Sequence, residues 1–528
     1  MAVGSIVIVS FDQIDLAKLS PEIIIVGGGA VGLIAAVYLT SRNVRVLVLE
    51  AGPEQLDQES QAIFHAAVSR GRNHAGLHQG RFRALGGTTN FWGGQLVRFD
   101  RTVFTERAWL GDAAWPIKLE DIEQFYAECE RLLGVPDGLS EDRSVIKQLQ
   151  TPAEYRDSDL EYFYTRWLTE KNLRFRFARF LESNANIAVV TNAPVTSLRI
   201  GANNEIAAVT VGFGHQAVDV AARLLVLANG TVEMIRLLQH QTADGHAPPW
   251  AANPWLGRGF MDHLEGTIAS IVPLEKSLFR SLFDNVFLQG MKLQPRLKLS
   301  EARQLEDKLL GAAIHVKFEA QEHVQNAKIF LAGLLKGRLS HPRRITSEIW
   351  AAVRLGFPMA WHYLVNQRIW SPMNGNIQLR VMLEHVPLTS STITLSEDCD
   401  KFGMRIPELR WAVSGETEIR TIQAAAALSK KYFESRGIAK VAIAEQILAG
   451  GPELLASFVD TFHQMGGARM GISESDGVVD SMCRVFGCDN LYVMGAAVFP
   501  TSGFANPTFT AMALALRTAE TIRRRVQR

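Results

Sequence analysis

The sequence predicts an α/β protein in two parts, one built on a parallel sheet and the other an α+β domain with an antiparallel sheet. The apolar, β-branched runs at 22–26 and 44–49 are typical of strands buried on both faces, and residues 30–40 between them suit a helix. Alternating stretches such as 391–395 indicate the antiparallel sheet. A chain of 528 residues is also long for a single domain.

The parallel part is expected to come from separated pieces of the chain. Residues 22–49 form a βαβ unit of Rossmann-like type, and the runs at 223–230 and 490–495 look like further buried strands that end in glycine. The predicted boundaries are 1–110, 180–263 and 455–528 for a discontinuous nucleotide-binding domain, 111–179 for a connecting segment and 264–454 for a substrate-binding domain.

Composition narrows the class of ligand. The 55 basic and 54 acidic residues nearly cancel, so we expect no nucleic-acid partner and favour a small molecule. Four cysteines without a C-x-x-C pattern predict no metal site, haem or cluster. The first twenty residues lack a basic region and a cleavage site, which favours a cytoplasmic location.

Two apolar segments raise the question of membrane contact. Residues 23–39 just reach the length of a short membrane span, but the glycines at 27–29 break a helix there and favour strand, turn and helix. Residues 327–370 are rich in Leu, Trp, Arg and Lys, with Glu348 as their only carboxylate. A membrane-surface or partner helix is one interpretation of that segment, and a helical cover with solvated basic residues is the favoured one.

A glycine motif follows the first strand. Gly27, Gly29 and Gly32 have the spacing in which the first allows a turn, the second lets backbone approach a pyrophosphate and the third allows close helix packing. Glu50 ends the second strand and can accept hydrogen bonds from ribose hydroxyls. The acidic residue disfavours NADP, but it does not separate NAD from FAD.

Several segments resemble signatures of the glucose-methanol-choline (GMC) oxidoreductases, in the order in which that family carries them. They are residues 83–94, 257–263, 463–471, 479–495 and 502–508. Residues 394–404 and 500–510 are most similar to the branch that contains pyranose oxidases and the large subunits of fructose and gluconate dehydrogenases.

The resemblance implies an FAD-dependent oxidoreductase that acts on a CH–OH group of a sugar, glycoside or polyol. Three alternatives remain beside it: a flavin-containing lyase of the same family without net oxidation, an oxidoreductase of a hydrophobic non-sugar alcohol, and a NAD-dependent dehydrogenase. Oxygen, a quinone or a carrier protein could each reoxidise the flavin, and no motif in the chain chooses among them.

The resemblance also implies a catalytic pair, His463 and Asn506, facing the flavin. An imidazole suits the task of taking the hydroxyl proton, and an amide can bond the substrate oxygen without titrating. Asn506 also precedes Pro507 as a helix N-cap would, so the positive end of that helix, with the backbone N–H of Thr508, is expected to face the reduced flavin. His263 is expected to have a structural hydrogen-bonding role.

Further positions are expected to touch the cofactor. They are Gly86, Gly87, Thr88, Thr89, Asn90, Gly495 and Ala496. Phe91 stands where several members of the family carry a histidine bonded covalently to the flavin, so the FAD is expected to be held non-covalently. Phe91 and Trp92 are then interpreted as ordinary core aromatics.

Overall fold

The computed structural model describes residues 8–528 except 112, 150, 152–156, 213, 215–216, 320–361, 364, 366, 372 and 374. The segment 327–370, for which membrane contact was considered, lies almost wholly outside the described residues.

The strands in the described part of the chain are numbered in chain order. They are β1 Ile8–Ser10, β2 Ile23–Val26, β3 Val46–Leu49, β4 Val68–Gly71, β5 Gln95–Leu96, β6 Leu160–Trp167, β7 Ile187–Thr191, β8 Val195–Ile200, β9 Ile206–Val211, β10 Val218–Ala221, β11 Leu224–Leu227, β12 Leu264–Pro273, β13 Val286–Leu288, β14 Met291–Leu299, β15 Ala312–Phe318, β16 Ile377–Leu383, β17 Thr392–Cys399, β18 Arg405–Trp411, β19 Ala439–Ile443, β20 Val459–Asp460 and β21 Leu491–Val493.

The α-helices of the described residues are given by their bounds. They are Ala30–Thr40, Gln58–Ala62, Gly76–Gln79, Glu120–Leu133, Asp142–Gln148, Leu173–Arg176, Ala178–Ser183, Thr231–Gln239, Lys276–Phe283, Glu301–Glu306, Glu416–Ser435, Glu445–Ala449, Pro452–Ala456 and Pro507–Val526. None of the described helices is both long and apolar enough to cross a membrane.

A six-stranded parallel sheet forms the core of the first part, in the order β1-β7-β3-β2-β11-β21. The strands β2, β3 and β11 are buried at every position, because helices cover the sheet and only apolar side chains can pack there. Helices Ala30–Thr40 and Pro507–Val526 pack on one another. The predicted assembly of this sheet from distant pieces of the chain is confirmed.

A larger sheet forms the second part, in the order β19-β12-β16-β15-β14-β6-β5, with β13 paired to β14 and β20 to β12. Every pairing in it is antiparallel, as predicted. Helix Glu416–Ser435 packs against β6, β12, β15 and β16. The strands β5, β6 and β20 come from outside residues 264–454, so the sheet draws on four of the five predicted segments.

The predicted strand at 391–395 lies in a different sheet. It is part of β17, which pairs antiparallel with β18, and β18 in turn pairs parallel with β4. This small sheet ties residues from the middle of the chain to the first domain. The exact domain boundaries stay a prediction.

Candidate functional site

A cavity opens at the carboxyl ends of the parallel strands. Gly27 follows β2, Glu50 follows β3, Ala228 follows β11 and Met494 follows β21, and all four line it. The cavity holds about 1550 Å³ of empty space with its open mouth included. Ligands of open parallel sheets bind at this edge of the sheet.

The three glycines of the motif differ in what surrounds them. A Cβ added to Gly27 would lie 2.7 Å from the carbonyl oxygen of Ala228, and one added to Gly32 would lie 1.9 Å from the carbonyl oxygen of Gly27. A Cβ on Gly29 would meet only the Cα of Gly87, at 3.9 Å. Two of the glycines therefore allow strand and helix to pack, while Gly29 keeps space free at the cavity wall, as a pyrophosphate would require.

The adjacent glycines Gly86 and Gly87 precede a loop that packs against Gly29 of the glycine motif. Gly87 has φ of +51°, and a Cβ there would approach the Cα of Gly29 to 2.9 Å. Thr88 lines the cavity. Thr89 and Asn90 instead bond within the loop: the Thr89 hydroxyl donates to the Gly86 carbonyl at 2.6 Å, and the Asn90 amide donates to the Gly87 carbonyl at 2.8 Å. These two side chains hold the loop in shape.

Glu50 is buried against backbone N–H groups. Its Oε2 accepts from Gly28 N and its Oε1 from Gly52 N, each at 2.8 Å. Burial raises the pKa of Glu50 to about 7, against the opposing effect of those hydrogen bonds. Each oxygen keeps a lone pair with which to accept a ribose hydroxyl.

His463 and Asn506 lie side by side, as the sequence predicted, although 43 residues separate them in the chain. The Asn506 amide donates from Nδ2 to His463 Nε2 at 2.9 Å. Asn506 occupies the N-cap position of helix Pro507–Val526, but its side chain makes no capping hydrogen bond. Its Oδ1 is buried and has no hydrogen-bond partner among the described residues. The pair therefore has an acceptor left for a ligand.

The opposite edge of the His463 ring, at Nδ1, contacts a series of hydrogen-bonded polar groups. Nδ1 lies 2.6 Å from the Thr461 hydroxyl, and that hydroxyl donates to Asp262 Oδ1 at 3.0 Å. Because Thr461 has a single hydroxyl proton, it accepts from His463, which places the imidazole proton on Nδ1. Asp262 Oδ2 in turn bonds His74 Nε2 at 2.9 Å. The lone pair of His463 is thus at Nε2, beside Asn506.

His263 supports the same tautomer. Its Nδ1 lies 3.0 Å from His463 Nδ1, and its Nε2 lies 3.5 Å from the Ser502 carbonyl oxygen, which can only accept. His263 therefore has its own proton on Nε2 and offers a second acceptor to the His463 Nδ1–H. The expected hydrogen-bonding role of His263 is consistent with these contacts, which place it directly against the catalytic candidate.

The electrostatics keep His463 neutral. Burial, together with the neighbouring His263, lowers the pKa of His463 to about 3, and the Asp262 charge does not offset this. The pKa of Asp262 is about 2, since the hydrogen bond and charge of His74 outweigh the effect of burial. A neutral imidazole with an unprotonated Nε2, held in place by an ionised carboxylate through a hydroxyl, can accept a proton from an alcohol that displaces the Asn506 amide.

Two features differ from what the sequence indicated. Thr461 and His74 were not singled out, because a hydroxyl two residues before a histidine and a distant histidine carry no recognisable spacing. Phe91 is not a core aromatic: it is 53% exposed and stacks on Phe82, with ring centroids 5.0 Å apart. Trp92 is partly exposed and donates to the Lys171 carbonyl.

Two family models match the chain. The FAD dependent oxidoreductase model matches residues 22–249, and the GMC oxidoreductase model matches residues 387–515. The first match covers the glycine motif and Glu50, and the second covers both His463 and Asn506. Together they span well over half of the chain.

Two curated relatives align over nearly their whole length. The fructose dehydrogenase large subunit of Gluconobacter japonicus is 23% identical, covering 96% of this chain and 98% of that protein. The 2-methyl-1,2-propanediol dehydrogenase of Mycolicibacterium austroafricanum is 20% identical, covering 96% of this chain and 95% of that protein.

A solved structure shows the same fold. The FAD-dependent oxidoreductase from Chaetomium thermophilum superposes with a TM-score of 0.58 at 17% identity, covering 96% of this chain and all of that chain. The predicted two-part architecture is confirmed by this neighbour and by the two sheets. The chain therefore combines an FAD-dependent oxidoreductase domain with a GMC oxidoreductase C-terminal domain, and it is an FAD-dependent enzyme that acts on CH–OH donors.

Proposed function

We propose that the enzyme oxidises a CH–OH group of a sugar, glycoside or polyol, with His463 as the base and Asn506 as the residue that positions the substrate oxygen. The observation that carries this proposal is the lone pair of His463 Nε2 beside an Asn506 amide whose Oδ1 has no partner among the described residues. Bound FAD supplies the hydride acceptor, at N5 of the flavin.

The steps assigned to the chain are binding and proton transfer. The substrate hydroxyl replaces the Asn506 amide as the donor to His463 Nε2, and Asn506 bonds the substrate oxygen. His463 takes the hydroxyl proton as the C–H bond breaks, and Thr461 and His263 hold the ring by its Nδ1–H.

The cofactor is assigned to the cavity on the same grounds. Gly29 and Gly87 line the cavity and allow backbone to approach the pyrophosphate, Gly86 gives the loop before Gly87 its turn, and Glu50 receives ribose hydroxyls. Gly495, Ala496 and Thr508 line the cavity near His463, where the start of helix Pro507–Val526 favours negative charge on the flavin.

The names of the relatives support the substrate class. One is described as acting on fructose and the other on a diol, so polyhydroxylated alcohols are the first compounds to test.

The proposed function is tested by mixing the enzyme anaerobically with sugars, polyols and hydrophobic alcohols and following the flavin absorbance. We expect a polyol or sugar to bleach the flavin, and deuterium at the reacting carbon to slow the bleaching. A substrate converted without bleaching would instead indicate the lyase chemistry.

Replacing Thr461 with valine is expected to slow flavin reduction by about 10- to 100-fold, with less effect on substrate affinity. Valine keeps the shape of threonine but cannot accept the Nδ1–H of His463, so the tautomer and orientation of the imidazole are held by His263 alone among the described residues. Stopped-flow reduction without oxygen measures the effect. Thr461→Ser retains the hydroxyl and should recover most of the rate; equal rates in the valine and serine variants would show that the hydroxyl has no role.

The affinity for FAD is expected to fall as the pH is lowered through about 7. Glu50 is ionised above its pKa of about 7, and the ionised form is the better acceptor for ribose hydroxyls. Below that pH, the dissociation constant should rise by up to about tenfold per pH unit. Fluorescence titration of cofactor-free protein with FAD measures it. Glu50→Gln should bind more weakly and lose this pH dependence; a wild-type affinity that stays constant from pH 8 to pH 5.5 contradicts the assignment.

Acid precipitation is expected to release all of the flavin into the supernatant. Phe91 has no atom that could form a bond to the flavin where the family's linking histidine would stand. The absorbance of the supernatant and the pellet after precipitation decides the matter. Yellow colour that stays with the denatured protein would show a covalent link through another residue.

A further inference from the structure

The large antiparallel sheet has one polar face. Cross-strand neighbours share a face, so the pairing of Arg380 with His315 and Thr267 places these three side chains in one row across β16, β15 and β12. In β14, Leu297 pairs with Ile314, which puts Arg296 beside His315 in the same row. The row thus contains two arginines and a histidine.

This face borders the catalytic pair. Side chains alternate along a strand, so His263, immediately before β12, points the same way as Glu265 and Thr267. His263 touches His463 at 3.0 Å. At the other edge, Arg296 pairs with Phe163, whose ring centroid lies 5.7 Å from that of Phe504 in the loop that leads to Asn506.

The row is displaced along β12 from the residue that contacts the base. Thr267 is four positions after His263, or about 13 Å away along an extended strand. The side chain of an arginine covers part of that distance. A group bound by the row would therefore lie several bonds away from the carbon that is oxidised at His463.

The charges of the row do not balance among the described residues. Its nearest carboxylate is that of Glu265, which lies 3.3 Å from Arg380 Nε and 3.4 Å from His315 Nε2. Arg296 is only 8% exposed, donates to Gln294 Oε1 at 3.2 Å, and has no described carboxylate within 4.0 Å. Its Nε has no hydrogen-bond partner in the described chain.

A further cation on this face, besides the two arginines, adds to the excess of positive charge. Lys292 lies on β14 with the same orientation as Arg296, and its ammonium group stacks on Trp167 at 3.8 Å from the ring centroid. Burial lowers the pKa of Arg296 to about 10, so it remains a cation at neutral pH. Burial, with the charges of Arg296 and Arg380, holds the pKa of His315 well below its usual range, so the histidine is neutral.

A buried guanidinium without a counter-charge is costly, and its planar fork of N–H groups matches a carboxylate or phosphate. We propose that the substrate alcohol carries an anionic group, a carboxylate or a phosphate, which Arg296 binds while the carbinol carbon lies at His463. The inference rests on the proposed function, because His463 marks the reacting carbon. Arg296 would therefore select sugar acids and phosphorylated polyols as substrates.

Matched pairs of alcohols test the inference in the FAD-loaded enzyme. D-gluconate and D-glucitol share a six-carbon polyol chain and differ in the carboxylate, and glycerol 3-phosphate and glycerol differ in the phosphate. Without oxygen, the concentration dependence of flavin reduction gives the affinity for each. We expect the anionic member of at least one pair to bind about 10- to 100-fold more tightly, and the pair concerned identifies carboxylate or phosphate.

Arg296→Gln is expected to remove that preference, and Arg296→Lys to keep part of it, while the affinity for the neutral partner changes little. Arg303→Gln is the matched control, since Arg303 lies on helix Glu301–Glu306 and pairs with Asp159 and Asp307. Thermal unfolding of the oxidised enzyme with each compound gives a second readout that does not need turnover.

Three results overturn the inference: neutral alcohols bind as tightly as their anionic partners, Arg296→Gln retains the preference, or no anion in the panel binds at all. Failure of the proposed function is a separate outcome, since His463→Ala would then reduce its flavin normally whatever Arg296→Gln does to anion binding.

Discussion

Replacing His463 with alanine is expected to slow reduction of the bound FAD by about 10²- to 10⁴-fold, or roughly 3 to 5 kcal/mol in barrier height, while the protein keeps its fold and cofactor. The loss follows from the role of Nε2, the unprotonated nitrogen of a neutral imidazole whose Nδ1–H is held by Thr461 and His263. Cofactor binding is preserved because the glycine motifs and Glu50 are untouched. Stopped-flow reduction without oxygen isolates this step from reoxidation.

The controls for this prediction use other side chains of the chain. His65→Ala removes an exposed histidine and should leave the rate unchanged. Asn506→Ala should slow reduction less than His463→Ala, since it removes orientation and a hydrogen bond but leaves the base. If His463→Ala reduces at the wild-type rate, the base is another group, and His263 is the next to test because it lies directly against His463.

The parallel sheet was predictable because each of its central strands can be recognised from a short stretch of sequence. A strand buried on both faces has to be apolar at each position, as 23–26 and 224–227 are, and a glycine then follows where the cavity begins. The antiparallel sheet was predictable only as a type. Its partners β5 and β6 are separated from β14 by more than a hundred residues, and no local pattern specifies such a pairing.

The residues of the site likewise fall into a predictable group and a group that only the structure shows. His463 and Asn506 were found through the family resemblance, and His463 Nε2 lies 2.9 Å from Asn506 Nδ2. The groups that set the tautomer of His463 could not be found, because Thr461, Asp262 and His74 come together only through tertiary packing. Arg296 could not be found from the sequence for a related reason. A single arginine in a strand is usually interpreted as an edge or surface residue, and only the pairing register of the sheet shows which face it occupies.

Replacing Gly29 with valine is expected to give a folded protein that purifies without FAD. The backbone of Gly29 has φ of −82°, which any residue adopts, and a Cβ there meets only the Cα of Gly87 at 3.9 Å. The protein itself therefore tolerates a side chain at this position. The two methyl groups of valine would instead fill the space assigned to the pyrophosphate.

The contrast with Gly32→Val makes the prediction specific to the cofactor. A Cβ on Gly32 would lie 1.9 Å from the Gly27 carbonyl oxygen, so valine there forces strand and helix apart and the variant should fail to fold. The ratio of flavin to protein absorbance, together with circular dichroism on heating, separates the two cases. A Gly29→Val protein with a full complement of FAD would refute the placement of the pyrophosphate at Gly29, whereas an unfolded one would show that Gly29, like Gly32, serves packing.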